Sequence, residues 1–423
     1  MRHPDALSLT TIYIHGDTGK YYNFYSNQNL KCSLQKLRKL HKIIGLVDGD
    51  DQAVKFNVRI MKFVGFKDRF WTAVTITSFH FNNTKFIFIY SYAIIFQNVS
   101  FTNCIITNRI QTLKTFKDKE HLQIKFINCI FSVNHNILNF AVKDRYSMVV
   151  FTIFSIQIMF FETSLTDTLV HISGVNYYFL VKNTTFFQNQ PGKILKFGYY
   201  IQITKFFQVI VQRKLKIINS NVYSNQTMRE NAESSFLDIN IGKVYTIVEN
   251  CKFYNLQNVI AFIPLKPLGV YIGIYFEFVL NNSLVTQTRV IPTYSEINIT
   301  ILDLKMLLVK ANIKIINCHF ANLSANEGAA IFIHADNYVG YKSITINVLI
   351  SRNMFINNIA YRSGGSIQIG KGIFTNVEHC VFIYNNSILQ EILSLKGLFL
   401  TILDTLVIFN CSFSLTSDIN LSY

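Results

Sequence analysis

The chain has 423 residues, 50% of them hydrophobic and 15% charged, which excludes the polar, highly charged composition of an intrinsically disordered protein. Phe (38) and Tyr (22) are abundant, Pro (5) is scarce and Ala-Leu-Glu-rich stretches are almost absent, which excludes an extensively helical fold. The net charge of +16 arises from scattered Lys and Arg, with no compact basic patch interleaved with aromatic residues, so a nucleic-acid partner is not expected.

In chain order, the start Met1-Arg2-His3-Pro4-Asp5 lacks the apolar core of a signal peptide. His15-Gly16-Asp17 follows as a turn. Leu34-Gln35-Lys36-Leu37-Arg38-Lys39-Leu40-His41-Lys42-Ile43-Ile44 places apolar residues three to four apart on a basic segment, which predicts an amphipathic helix. A solenoid needs a polar-faced cap over its first coil, and this helix is assigned that role rather than membrane-surface binding. Asp48-Gly49-Asp50-Asp51, just beyond it, is the densest acidic cluster in the chain. The span 1–52 is therefore read as a capping region with a short helix, and 53–423 as a repeat domain.

The repeat is a short phrase built on Asn-Cys. Asn103-Cys104, Asn128-Cys129, Asn250-Cys251, Asn317-Cys318 and Asn410-Cys411 are its clear copies. Asn183-Thr184-Thr185-Phe186, Asn219-Ser220-Asn221-Val222, Asn282-Ser283-Leu284, Asn353-Met354-Phe355 and His379-Cys380-Val381-Phe382 are degenerate ones. From Asn183 the anchors are 36, 31, 32, 35, 36, 26 and 31 residues apart, and the gap of 55 between Asn128 and Asn183 leaves room for one further unit. Apolar residues alternate with period two on both sides of the anchor, as in Ile313-Lys314-Ile315-Ile316-Asn317-Cys318-His319-Phe320-Ala321-Asn322, and this alternation predicts strands. Asn tolerates the left-handed backbone region, so it predicts a bend between them.

Three short strands per coil with coils of variable length describe an all-β fold, a right-handed parallel β-helix of roughly 11–12 coils. At about 4.8 Å per coil it would be about 50–60 Å long. A leucine-rich repeat also carries Asn or Cys after alternating apolar residues. Its period of about 20–29 residues and its Leu-x-x-Leu lead-in do not fit.

Stacked Asn side chains can donate to the copy above and accept from the copy below, forming a ladder. Cys104, Cys129, Cys251, Cys318, Cys380 and Cys411 follow the bend and share their parity with an apolar residue such as Phe320 or Phe413. They are expected to point inward as small hydrophobes. Without any Cys-x-x-Cys pair a zinc site is not expected. A vertical disulfide, for instance Cys380 with Cys411, is geometrically conceivable. Ten sequons (Asn82, Asn98, Asn183, Asn225, Asn281, Asn298, Asn322, Asn385, Asn410 and Asn420) are mildly supportive of an exported glycoprotein. Those at the ladder position, Asn183 and Asn410, are expected to be partly buried.

Enzymes that cleave carbohydrates on such a scaffold need clustered carboxylates for calcium or for acid-base work. Apart from Asp48, Asp50 and Asp51, the acids stand alone, as in His15-Gly16-Asp17 and His334-Ala335-Asp336. No nucleophile elbow, phosphate loop or metal-protease helix is present in the sequence. No catalytic, cofactor-binding or metal-ligating residue is assigned, no cofactor is expected, and the reading leans away from an enzyme. No stretch gives about 18 uninterrupted apolar residues, so the chain as written reads as soluble.

The phrase Phe-x-x-Asn (Phe355 to Asn358, Phe382 to Asn385, Phe186 to Asn189) lies next to Gly364-Gly365-Ser366-Ile367 or Gly328-Ala329-Ala330-Ile331. It resembles the GGAI and FxxN repeats of chlamydial polymorphic outer-membrane proteins, and of large surface proteins with pectin-lyase-like folds in ciliates and other protists. The resemblance covers residues 95–420 and is best over 313–370. It implies an extracellular or cell-surface β-helix for adhesion or structural scaffolding, with glycans or cell-surface proteins as partners. It also implies a membrane anchor held in segments beyond this chain. The alternative is a pectin-lyase-like polysaccharide lyase or glycoside hydrolase, although that family's catalytic motifs are not recognisable here.

Overall fold

In the computed structural model the period-two runs become strands, and the strands wind as right-handed parallel solenoid turns. Strands are described between Thr10 and Ser414. Side chains are described for residues 75–86, 95–107, 124–131, 178–187, 194–196, 213–224, 235–239, 244–256, 258–262, 275–287, 295–300, 310–335, 345–370, 373–387 and 407–414. The chain divides into two units, Met1–Asn189 with Phe207–Arg213, and Gln190–Phe206 with Lys214–Tyr423.

One turn shows the construction. Strand Tyr92–Gln97 joins the first sheet, Asn98 bends the chain at φ 53°, and Ser100–Thr102 joins the second sheet. Asn103 then bends it at φ 50°, and Ile105–Asn108 joins the third. Each bend is a single residue in the left-handed region, where Asn costs less than most side chains. This coil therefore contains two such corners, whereas the sequence phrase suggests one.

In the first unit the first sheet contains seven strands, the last being Asn176–Lys182. The core is a column of aromatic rings. Phe101 and Phe131 stack with centroids 4.7 Å apart, and Phe96 and Phe126 at 5.3 Å, because their strands pair in register. Such pairs contribute about 0.5–1.5 kcal/mol beyond the burial of their area. The long gap between Asn128 and Asn183 contains the further unit expected there: Met148–Phe154, Gln157–Phe160 and Thr168–Gly174.

In the second unit the first sheet again contains seven strands, beginning with Arg213–Ile218. Its inward columns are apolar, for example Val248, Leu280, Ile315, Ile350 and Val377 in register. The second sheet stacks Phe320, Phe355, Phe382 and Phe413 at 5.1, 4.8 and 5.1 Å. The third sheet stacks Leu237, Ile260, Ile297, Ile331 and Ile367, all fully buried. A small fourth sheet joins Ser324–Glu327, Ile359–Ser363 and Asn386–Ser387. The Gly-rich phrase sits beside it. Gly328 and Gly364 turn the chain at φ 51° and 63°, and a Cβ on Gly365 would lie 2.5 Å from the carbonyl oxygen of Asn386.

Several sequence expectations need correction. His41–Val47, which contains the end of the expected helix Leu34–Ile44, is a strand paired in register with Thr10–Gly16. Residues 33–40 lie outside the described residues. Ile43 and Ile44 thus lie in an extended run, because the pairing partner decides between the two periods. Strands already appear from Thr10, within the span read as a cap. Together the two units contain more first-sheet strands than the 11–12 coils inferred from anchors, because the strands before Ala73 carry no Asn-Cys phrase.

Asn103 and Asn128, aligned as equivalent anchors, occupy different corners. Asn98 N bonds to Ile127 O, just before Asn128, whereas Asn83 N bonds to Thr102 O, just before Asn103. The true counterpart of Asn128 is Asn98. Likewise, Asn353 is not a bend. Arg352 takes the left-handed position, and Asn353 occupies the buried place that Cys fills in neighbouring turns. Asn183 and Asn410, expected to be partly buried, are exposed, because the left-handed corner turns its own side chain out and the next one in.

Candidate functional site

Each corner of the second unit presents an outward residue followed by an inward one, and the two make different ladders. Outside, Asn250 Nδ2 donates to Asn219 Oδ1 at 3.1 Å, and Asn282 Nδ2 donates to Asn250 Oδ1 at 2.8 Å. The expected Asn ladder is therefore present in these turns. It then shifts sideways, with Asn317 Nδ2 donating to Asn281 Oδ1 at 3.4 Å and Asn281 Nδ2 donating to Glu249 Oε1 at 3.4 Å. At the second corner Asn357 Nδ2 donates to Asn322 Oδ1 at 3.3 Å.

Inside the corner, a small polar side chain ties each turn to the one below. Cys318 Sγ donates to Leu280 O at 3.7 Å and to Ile316 O at 3.1 Å. Cys104, Cys129, Cys251, Cys380 and Cys411 make the same pair of contacts. All six thiols are free, so the Cys380 and Cys411 sulfurs are not joined. Burial pushes the Cys104, Cys129, Cys251, Cys318 and Cys380 thiols up to about 12, which keeps them neutral donors rather than nucleophiles.

The FxxN phrase acquires a physical reason at the second corner. Asn358 Nδ2 donates to Phe320 O at 3.1 Å while its Oδ1 accepts from Leu323 N at 3.0 Å. Asn385 repeats this one turn on, donating to Phe355 O at 2.8 Å and accepting from Asn358 N at 3.0 Å. The sequon at Asn385 is consequently closed to a glycan in the folded chain, whereas Asn98, Asn183, Asn322 and Asn410 are exposed. Asn225 and Asn420 lie outside the described residues.

The outward face of the first sheet carries a mixed column in register: Lys214, Tyr245, Glu277, Asn312, Asn347 and Phe374. Lys214 Nζ lies 5.4 Å from the centre of the Tyr245 ring, within cation–π range. Burial, then the neighbouring Glu277 carboxylate, raises the Tyr245 phenol above its ordinary value. Asn347 Nδ2 donates to Asn312 Oδ1 at 3.3 Å. Tyr275 and Phe374 are 45% and 50% exposed on this face, a high value for large aromatic groups. On the second sheet Tyr223 and Tyr254 stack outward with their rings parallel to 1°.

Among the described residues the acids do not converge into a cluster. Glu249 and Glu327 each hold an amide, that of Asn281 and that of Gln368, and Glu277 lies beside Tyr245. Among the described residues, no group of three or more His, Cys, Asp or Glu side chains could hold a metal ion. His334 lies in strand Ile331–Ala335 and stacks on Phe332 with centroids 6.1 Å apart. His15 and Gly16 lie in strand Thr10–Gly16. Asp17, Asp48, Gly49, Asp50, Asp51 and Asp336 lie outside the described residues.

One acid that sequence reading passes over is Glu296, fully buried at the start of a third-sheet strand. Gln287 Nε2 donates to its Oε1 at 2.5 Å and to Leu256 O at 2.8 Å. Desolvation pushes the Glu296 carboxyl up to about 8 against the lowering effect of Gln287, so it is held mostly protonated at neutral pH. A solitary Glu in an apolar run gives no signal of this. The tyrosine pair, by contrast, could have been found in the sequence, because Tyr223 and Tyr254 stand at the same offset from Asn219 and Asn250.

These features define a parallel β-helix repeat protein. Comparisons of the chain with protein-family models, with curated proteins and with solved structures gave no match. Among the described residues no helix is long and apolar enough to cross a membrane.

Proposed function

We propose that the chain is a non-enzymatic surface or extracellular β-helix that presents side-chain ladders and loops for adhesion or structural scaffolding. The observation that carries this reading is the outward face of the second unit. There Tyr245, Tyr275 and Phe374 stand among the Asn312 and Asn347 amides and the Lys214 ammonium. Exposed aromatic groups beside amides offer an apolar surface and directional hydrogen bonds together, the mixture found at recognition surfaces. The resemblance of the FxxN and Gly-rich phrases to polymorphic outer-membrane-protein repeats supports the same reading. With it come glycans or cell-surface proteins as partners, and a place in a larger membrane-anchored protein. A polysaccharide lyase or hydrolase draws no support from Glu296, whose carboxyl is closed in the core.

The test is binding of the purified, labelled chain to intact cells and to an immobilised glycan panel. Replacing Tyr245, Tyr275 and Phe374 together by Ser should reduce binding at least tenfold while leaving the β circular-dichroism signal unchanged. Equal binding by the triple variant would refute this face as the site, and no binding to either surface would refute the adhesion reading. Turnover of acidic polysaccharide with calcium present would favour the enzyme instead.

A further inference from the structure

We propose that Tyr223 and Tyr254 form an oxidative cross-linking site, at which a haem peroxidase with hydrogen peroxide joins two neighbouring turns through a dityrosine bond. The ring centroids are 4.8 Å apart and the rings are parallel to 1°. The two residues are register partners on hydrogen-bonded parallel strands, Asn221–Ser224 and Lys252–Tyr254. Val222 and Phe253 point into the core at 0% and 1% exposure, so the tyrosines between and beyond them point out. Both phenols are half-buried and reachable from solvent. The corner beneath is fixed by Lys252 N bonding to Ser220 O at 3.0 Å and by the Asn250–Asn219 amide bond, which holds the two strands in this register.

The chemistry balances within the pair. Each phenol gives up one electron and one proton to the oxidant and becomes a phenoxyl radical with spin density on its ortho carbons. The two ortho carbons form a C–C bond, and the hydrogens they carried move to the oxygens as both rings regain aromaticity. The net loss is two hydrogen atoms, which one hydrogen peroxide takes up to give two waters. Radical coupling is ordinarily limited by encounter, and here the fold supplies the encounter, because partners held side by side react as one molecule. The product adds a covalent tie to the backbone hydrogen bonds, side-chain hydrogen bonds and ring stacking that already join these turns. It does not rest on the adhesion reading, since cross-linked turns serve any extracellular scaffold.

The experiment treats the dilute full-length chain with a haem peroxidase and hydrogen peroxide, then maps tryptic peptides. The expected product links the peptide 217–229, which contains Tyr223, to the peptide that begins at Phe253, with the mass of two hydrogens missing and blue dityrosine fluorescence. Tyr223→Phe and Tyr254→Phe should each abolish that linked pair while keeping the ring stack. Tyr361→Phe, at an exposed tyrosine elsewhere, should leave it unchanged. Oxidation of other tyrosines without this link would overturn the proposal, as would an equal yield of the link from protein treated in denaturant.

Discussion

The Asn353 side chain accepts the backbone N–H of Cys318, one turn below, at 2.7 Å, and donates its own Nδ2 to Ile315 O at 2.8 Å. One amide thereby satisfies a donor and an acceptor that are both sealed from water. Asn353→Ala should orphan both, and at about 1–3 kcal/mol per buried group the loss should be about 2–6 kcal/mol in urea unfolding. Asn353→Ser should recover part of it, since Ser283 accepts the Cys251 N–H at the equivalent place at 3.2 Å. Equal stability of all three proteins would remove the corner amide from the account of this fold.

Phe355 is stacked between Phe320 and Phe382, and Phe355→Ala should cost about 3–5 kcal/mol, with Phe355→Leu below about 1.5 kcal/mol. Because each turn contacts chiefly its neighbours, the loosening should stay local. Hydrogen exchange should accelerate at Val381–Ile383 and its neighbouring turn, and hardly at all around Phe101 in the other unit.

The thiols at the corners should be inert while the chain is folded. Burial holds five of them near 12, so the thiolate that an alkylating or disulfide reagent needs is scarce at pH 8. A thiol titration should register none of these five before unfolding and all of them in guanidinium. The unfolded thiols ionise from about 9 upward and the folded ones do not. Stability contributed by the neutral thiols is therefore complete below pH 9 and lost as pH rises from there toward 12.

Glu296 gives a second pH dependence with the same sign and a lower window. Its carboxyl is raised from 4.5 to about 8, so its contribution is fully present below pH 4.5 and is lost as pH rises through 8. Each pH unit inside that window is worth at most about 1.4 kcal/mol. Glu296→Gln, which keeps an acceptor for Gln287, should flatten the fall in melting temperature between pH 5 and 8. An unchanged slope in the variant would assign the dependence to another group.

Much of the scaffold was legible in the chain itself. The alternation around Asn317 marks strands, the recurring Asn marks corners, and the shared parity of Cys318 and Phe320 marks the inward face, all of which hold. These are local rules, set by which backbone regions a residue tolerates and by the period of its apolar neighbours. Letters alone misled where two residue types can do one job. Asn353 reads as a bend because Asn usually is one, yet it fills the Cys place since an amide can bridge the same carbonyl and N–H. Asn103 reads as the counterpart of Asn128 because both precede Cys, yet the coil that holds Asn98 and Asn103 has two corners with the same chemistry.

The Asn-Cys-x-Phe phrase thus determined, by sequence alone, that the chain would coil with three short strands per turn and bury its Phe and Cys in columns. Only the stacking of turns decided the rest. Strand pairing turned His41–Ile44 into a strand against a helical spacing, because pairing with Thr10–Tyr13 outweighs a local preference. Stacking also sealed Glu296 between neighbouring turns, through Val259 N and Ala329 O, and set Tyr223 on Tyr254. The Tyr223 and Tyr254 rings lie 4.8 Å apart in space but a whole turn apart in the chain, where no local pattern reaches.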